Sequence, residues 1–180
     1  MMSVFDLLAA RRSVRHYTDE PVAREDLRKI VEAGLMTPSS KNLRSTEMLV
    51  LEDRNLISQA AHCKPHFGEM LLKAPAAVVV LGRLDSHAWV EDASVTMLAM
   101  MLQATELGIG SCWVQVRHMV SEKTGPDGTP LSSSDYLKEL LHFPDDMEAE
   151  AILALGHPSR AHQPRRLEET RPSRVHWGTF

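Results

Sequence analysis

A chain of 180 residues, 43 % of them apolar, can bury one core without cross-links, so a single domain over 1–180 is expected. The net charge of −4, with both signs interspersed, excludes a basic field for nucleic acid. Cys63 and Cys112 are isolated and form no CxxC pair, and the opening MMSVFDLLAARRSVR places its basic residues after its apolar segment. That is not a signal-peptide layout, so a cytoplasmic chain with reduced thiols and no membrane partner is expected.

The first element is a short helix opened by Ser3, with Asp6 three residues on in a capping-box pattern. It ends in Arg11-Arg12-Ser13-Val14-Arg15. Three arginines and a serine so close together make either a solvated charged face or an anion cradle, because guanidinium forks match phosphate oxygens. Residues 17–21 read as a turn. A helix over 24–35 carries Leu27, Ile30, Val31 and Leu35 on one face. The polar segment 37–45 is either a surface turn or a recognition loop on a rigid scaffold. A strand over 47–51 follows, then helices over 53–62 and about 66–73. AAVVVL at 76–81 has the continuous apolar character of a strand buried on both faces.

The longest expected helix spans 92–107. Asp92 suits its N-cap and Gly108 its left-handed C′ residue. No charge lies between Ala93 and Gln103, and Val95, Met97, Leu98, Ala99, Met100, Met101 and Leu102 point all round the axis. Such a helix is buried on every side or spans a membrane. Ser94, Thr96, Gln103 and Thr105 inside so short a helix make it a poor span. Either it is the centre of the domain, or a partner subunit covers one side. A strand over 112–116 comes next. Residues 121–134 read as a flexible excursion, 135–142 as a helix, 148–155 as a strand, and 159–180 as an extended basic arm. No GxGxxG follows a strand, no GxxxxGK[ST] or GxSxG occurs, and no histidine pair has a third ligand at metal spacing, so no metal is expected.

Four blocks, in order, resemble the nitroreductase family of FMN-dependent flavoproteins. They are Arg11-Arg12-Ser13-Val14-Arg15, Pro38-Ser39-Ser40-Lys41-Asn42-Leu43-Arg44-Ser45, Glu106-Leu107-Gly108-Ile109-Gly110-Ser111-Cys112-Trp113, and the segment 141–158 ending in Gly156-His157-Pro158. The resemblance implies an α+β nitroreductase-like fold, a central mixed or antiparallel sheet flanked by helices, in an intertwined homodimer. It implies that Arg11, Arg12, Ser13 and, more weakly, Arg15 hold the FMN phosphate. Pro38, Ser39, Ser40, Asn42 and Arg44 would lie on the flavin and ribityl chain, with Arg44 where many members have glutamine. The backbone around Val114, Gln115 and Val116 would lie against the ring, although some members carry glutamate-glycine at the last two positions. Arg165 and Arg166 best match the family's C-terminal phosphate ligands; an alternative alignment puts His162 and Gln163 there.

The activity so implied is transfer of electrons from NAD(P)H, through FMN, to a small organic acceptor such as a nitroaromatic, quinone or enone, by ping-pong kinetics. The flavin carries the chemistry, so no general acid or base is named. A flavin carrier or sensor without turnover, and a family branch with different flavin chemistry, are the alternatives. The burial of the 92–107 helix is then explained by a second subunit, with Met97, Met100 and Met101 at the interface.

Overall fold

The run at 76–83 sets the frame of the fold. In the computed structural model, which describes residues 2–66 and 68–180, it is a strand buried along nearly its whole length. Met1, in the opening segment, and Phe67, in the helix expected over 66–73, lie outside the described residues. Numbered in chain order, the helices are α1 (Val4–Ala10), α2 (Arg24–Leu35), α3 (Arg54–Ala61), α4 (Glu69–Lys73), α5 (Trp89–Glu106) and α6 (Ser133–Leu141). The strands are β1 (Thr46–Leu51), β2 (Ala76–Arg83), β3 (Gly110–Gln115), β4 (Val120–Thr124), β5 (Pro130–Ser132) and β6 (Met147–Gly156). The main sheet has the order β1-β2-β6-β3, and every pair in it is antiparallel. The architecture is α+β, as expected, and the sheet is antiparallel rather than mixed.

Alternate residues of the two central strands feed two cores. Ala77, Val79, Leu81, Ile152 and Ala154 face a layer that includes Ile57, Leu71 and Leu137 of α3, α4 and α6. Val78, Val80, Ala151, Leu153 and Leu155 face Ile30 of α2 and Met97 and Met100 of α5. Among the described residues no helix is long and apolar enough to cross a membrane.

Local signals place the ends. Ser3 and Asp6 form the reciprocal capping box expected of them, with Asp6 N–H donating to Ser3 Oγ at 3.1 Å and Ser3 N–H to Asp6 Oδ2 at 3.0 Å. Gly108, at φ +73°, closes α5, with Ile109 N–H donating to Ala104 O and Gly108 N–H to Thr105 O, a Schellman pattern.

Four expectations need correction. Helix α5 begins at Trp89, so Asp92 sits in its first turn and does not cap it. Nor is α5 buried all round. Met97 and Met100 are fully buried in the chain's own core, whereas Val95 and Leu98 are 42 % and 43 % exposed. The methionines therefore do not form an interface; the exposed stripe lies on the other side. Tyr17 is not a turn residue: it is buried, bridges to Pro158, and donates its O–H to Val14 O at 2.7 Å. Residues 121–134 include most of a hairpin, β4 paired with β5, which is tied to α3 by Glu122 N–H donating to His62 O at 3.1 Å.

Candidate flavin site

The expected residues fall into two groups, the arginines with β3 in one and the loop before β1 in the other. The first lies along β3, an edge strand. The chain leaving α1 bridges in parallel from Ser13 to Ser111, and Val14 N–H donates to Ser111 O at 2.9 Å. Gly110 permits this approach, since a Cβ there would sit 2.8 Å from Val14 Cγ1. At the other end of β3, Val116 N–H donates inward to Glu150 O at 3.1 Å. In an antiparallel pair the inward and outward backbone groups alternate. Residues 111, 113 and 115 therefore turn their N–H and C=O away from the sheet, and beyond Ser111 this edge has no strand neighbour among the described residues. Gln115 presents its backbone N–H there. The side chains of Val114 and Val116 are buried, so these two residues have only backbone to offer.

Cations gather at the Ser13 end. Arg11, with Arg165 and Arg166, lines a groove of about 250 Å³ beside Phe5 and Leu8. Arg165 N–H donates to Ala9 O at 2.8 Å, which ties the C-terminal arm to α1. Arg12 diverges from Arg11. It donates Nη1 to Gln163 O at 3.1 Å and lines a cleft of about 310 Å³ with Gly108, Ser111, Arg160 and His162. Ser111 Oγ is buried there without a hydrogen-bond partner among the described residues. The exposed Arg15 reaches back to Ser13 O at 3.4 Å. Partial burial lowers the Arg11 pKa below the ordinary guanidinium value, and Arg165 and Arg12 push it the same way. Among the described residues, none of Arg11, Arg12, Arg15, Arg160, Arg165 or Arg166 is paired with a carboxylate. Uncompensated cations, Arg12 and Arg160 in the cleft of the unpaired Ser111 hydroxyl and Arg11, Arg165 and Arg166 in the neighbouring groove, suit a phosphate dianion. Cys112, beside this cluster, is held above the usual thiol range by burial, which outweighs the opposing influence of Arg15 and Arg11.

The second group is the loop before β1. Lys41, Asn42 and Arg44 all have positive φ, at 51°, 56° and 51°. Such backbone persists only where the surroundings hold it, and it concentrates at functional sites. The hold comes from Asp92: its Oδ1 accepts Ser40 N–H at 2.9 Å, and its Oδ2 accepts Ser45 Oγ–H at 3.1 Å. Ser39 Oγ accepts Arg44 N–H at 2.8 Å. Pro38, Ser39 and Arg44 line a cleft of about 220 Å³ with Asp92 and Thr96. The loop and the arginine cluster are not brought together within the chain. Asp92 borders the first and Thr105 the second, and at ~1.5 Å per helical residue they stand on the order of 20 Å apart along α5.

Sequence reasoning missed Asp92 as the anchor of the loop, and Ser111 and Arg160 as lining residues. Of these, only Ser111 carried a signal, through its place in the Gly108–Trp113 block. Among the described residues no group of three or more His, Cys, Asp or Glu can hold a metal ion.

The fold and its cationic sheet edge define a class of α+β proteins with an antiparallel sheet between two helical layers. Comparison with known proteins gives the class its family. The Nitroreductase family model matches residues 8–99 and 63–157. A protein of Archaeoglobus fulgidus, provisionally named NADH dehydrogenase/NAD(P)H nitroreductase, is 30% identical over 163 residues, 88% of this chain and 87% of its own. An FMN-dependent nitroreductase from Clostridium difficile R20291 superposes with a TM-score of 0.91 at 32% identity, over 98% of this chain and 100% of that one. A Desulfovibrio desulfuricans structure solved in complex with FMN matches at a TM-score of 0.72 and 25% identity, over 94% and 95%. The chain belongs to the Nitroreductase family.

Proposed function

We propose that this protein is an FMN-dependent oxidoreductase that takes electrons from NAD(P)H and passes them to a small organic acceptor, a nitroaromatic, quinone or enone, each substrate using the same site in turn. The observation that carries the reading is the unpaired cation cluster at one end of the open β3 edge, in a chain whose relatives are named for FMN and NAD(P)H. Bound FMN supplies the chemistry, accepting a hydride and releasing electrons. The chain's residues hold and orient it. Arg11, Arg12, Arg165, Arg166 and Ser13 neutralise the phosphate. The outward Gln115 N–H lies four residues along β3 from Ser111, roughly 13 Å at strand rise, where it can donate to the ring.

The loop at 38–44 stands on the order of 20 Å along α5 from the arginine cluster of its own chain, and on this reading a second copy of the chain brings its loop to the flavin. The exposed Val95 and Leu98 of α5 and the exposed arm residues Trp177 and Phe180 provide apolar surface for such a dimer. The test is direct. The protein should take up FMN, become yellow, and bleach on addition of NADH or NADPH. Arg11→Glu and Arg12→Glu, made separately, should each be assayed for FMN uptake, because the two guanidiniums line different clefts. Retention of FMN at wild-type affinity by both would place the phosphate elsewhere and remove the observation on which the proposal stands.

A further inference from the structure

Strand β6 carries one residue more than β2 at a single point: Val80 pairs with Ala151, and Leu81 with Ala149. The residue in between is Glu150. A bulge of this kind re-aims a side chain and is favoured beside active sites. Glu150 is 4 % exposed, and its Oε2 has no partner among the described residues. Its Oε1 lies 3.4 Å from Gln115 Nε2. The same Nε2 is 3.3 Å from Glu150 O and 3.3 Å from Arg117 O. On its other side Gln115 Oε1 accepts the Trp113 indole N–H at 2.8 Å. Indole is a donor only, so the orientation of the Gln115 amide is forced. The Glu150 carbonyl also takes both Val116 N–H and Arg117 N–H, at 3.1 and 3.0 Å. One bulge residue thus grips the end of β3 by backbone and by side chain.

We propose that Glu150 is a titrating positioning residue for the flavin edge: through the Gln115 amide it fixes Trp113 and the outward Gln115 N–H, and its gain or loss of a proton is felt at that edge. The inference rests on the reading of β3 as the flavin's edge. An ionised carboxyl there only accepts, whereas a protonated one carries a donor of its own, so the hydrogen bonding around Gln115 differs between the two states. The charged neighbours are Arg117, whose guanidinium lies over the Trp89 ring at 5.6 Å, together with His118 and Glu148; opposite the bulge, β2 presents only Val80 and Leu81. Burial is the largest influence and lifts the Glu150 pKa above the ordinary glutamate value, with Glu148 adding to it and Gln115, Arg117 and His118 opposing.

The test uses the Trp113 indole N–H resonance of the full-length protein, assigned with Trp113→Phe and followed through a pH titration. In the wild type it should move in one step above the ordinary glutamate range. In Glu150→Gln, which keeps the shape but cannot ionise, the step should vanish. Gln115→Met, with Glu150 intact, should also lose it, which keeps the test decisive if the first variant folds poorly. With FMN bound, the rate of flavin reduction by NADH should lose the corresponding pH step in Glu150→Gln. A flat wild-type titration, or a step that persists in both variants, overturns the proposal. A step that depends on Glu150 in a protein that takes up no FMN would uphold the carboxyl relay and overturn the oxidoreductase reading.

Discussion

Asp92 shows how a residue can be conspicuous in sequence for one reason and used for another. An aspartate before a long apolar helix signals an N-cap. Here its carboxylate, buried in the first turn of α5, instead accepts from Ser40 N–H and Ser45 Oγ–H across 52 and 47 residues of sequence. Nothing local encodes such partners, so only the tertiary fold could reveal the role. Asp92→Asn replaces one acceptor with an N–H donor facing other donors. It should cost about 1–3 kcal/mol in urea denaturation, and should speed proteolysis within the 38–45 loop. Glu150 makes a second prediction at this scale. Its pKa is raised by folding. Between the ordinary glutamate value and the raised one the folded state holds more protons than the unfolded state, so stability falls as pH rises through that window. Glu150→Gln should flatten that slope in melts taken on both sides of the window.

Among the elements, the ones with strong periodicity or clear caps were legible in sequence. Helix α2, the α1 capping box, the Gly108 stop and the buried β2 run stand where expected. The failures have physical causes. The hairpin of β4 and β5 is spelled with Gly, Pro and Ser and depends on pairing, which composition does not report. For α5, the even spread of apolar residues hid which side the chain covers itself. Gly34 of α2 lets α5 approach closely: a Cβ there would lie 3.1 Å from both Met100 Cγ and Thr96 Cγ2. Met100→Lys should therefore unfold the chain, as an unpaired buried charge does, and not merely separate subunits. Val95→Lys with Leu98→Lys should leave the fold and its melting temperature close to wild type while shifting the species seen by light scattering to monomer. A wild-type protein that is already monomeric would show that this stripe has no partner.

For the whole molecule, the four sequence blocks name candidate residues but not their grouping. In the folded chain the arginine cluster and the 38–44 loop sit near opposite ends of α5. On the proposed reading the grouping comes from a second copy, which a one-chain sequence does not express. The consequence can be measured by mixing two defective variants. One carries Arg11→Glu and Arg12→Glu; the other carries Asn42→Asp and Arg44→Glu in the loop. Each alone should fail to hold FMN. If each site draws its arginines from one chain and its loop from the other, a mixed dimer has one doubly damaged site and one intact site. Random reassortment makes about half the dimers mixed, so co-refolding in equal amounts should restore about a quarter of the wild-type flavin content. If both groups in a site come from the same chain, no combination contains an intact site, and the mixture stays as colourless as its parents.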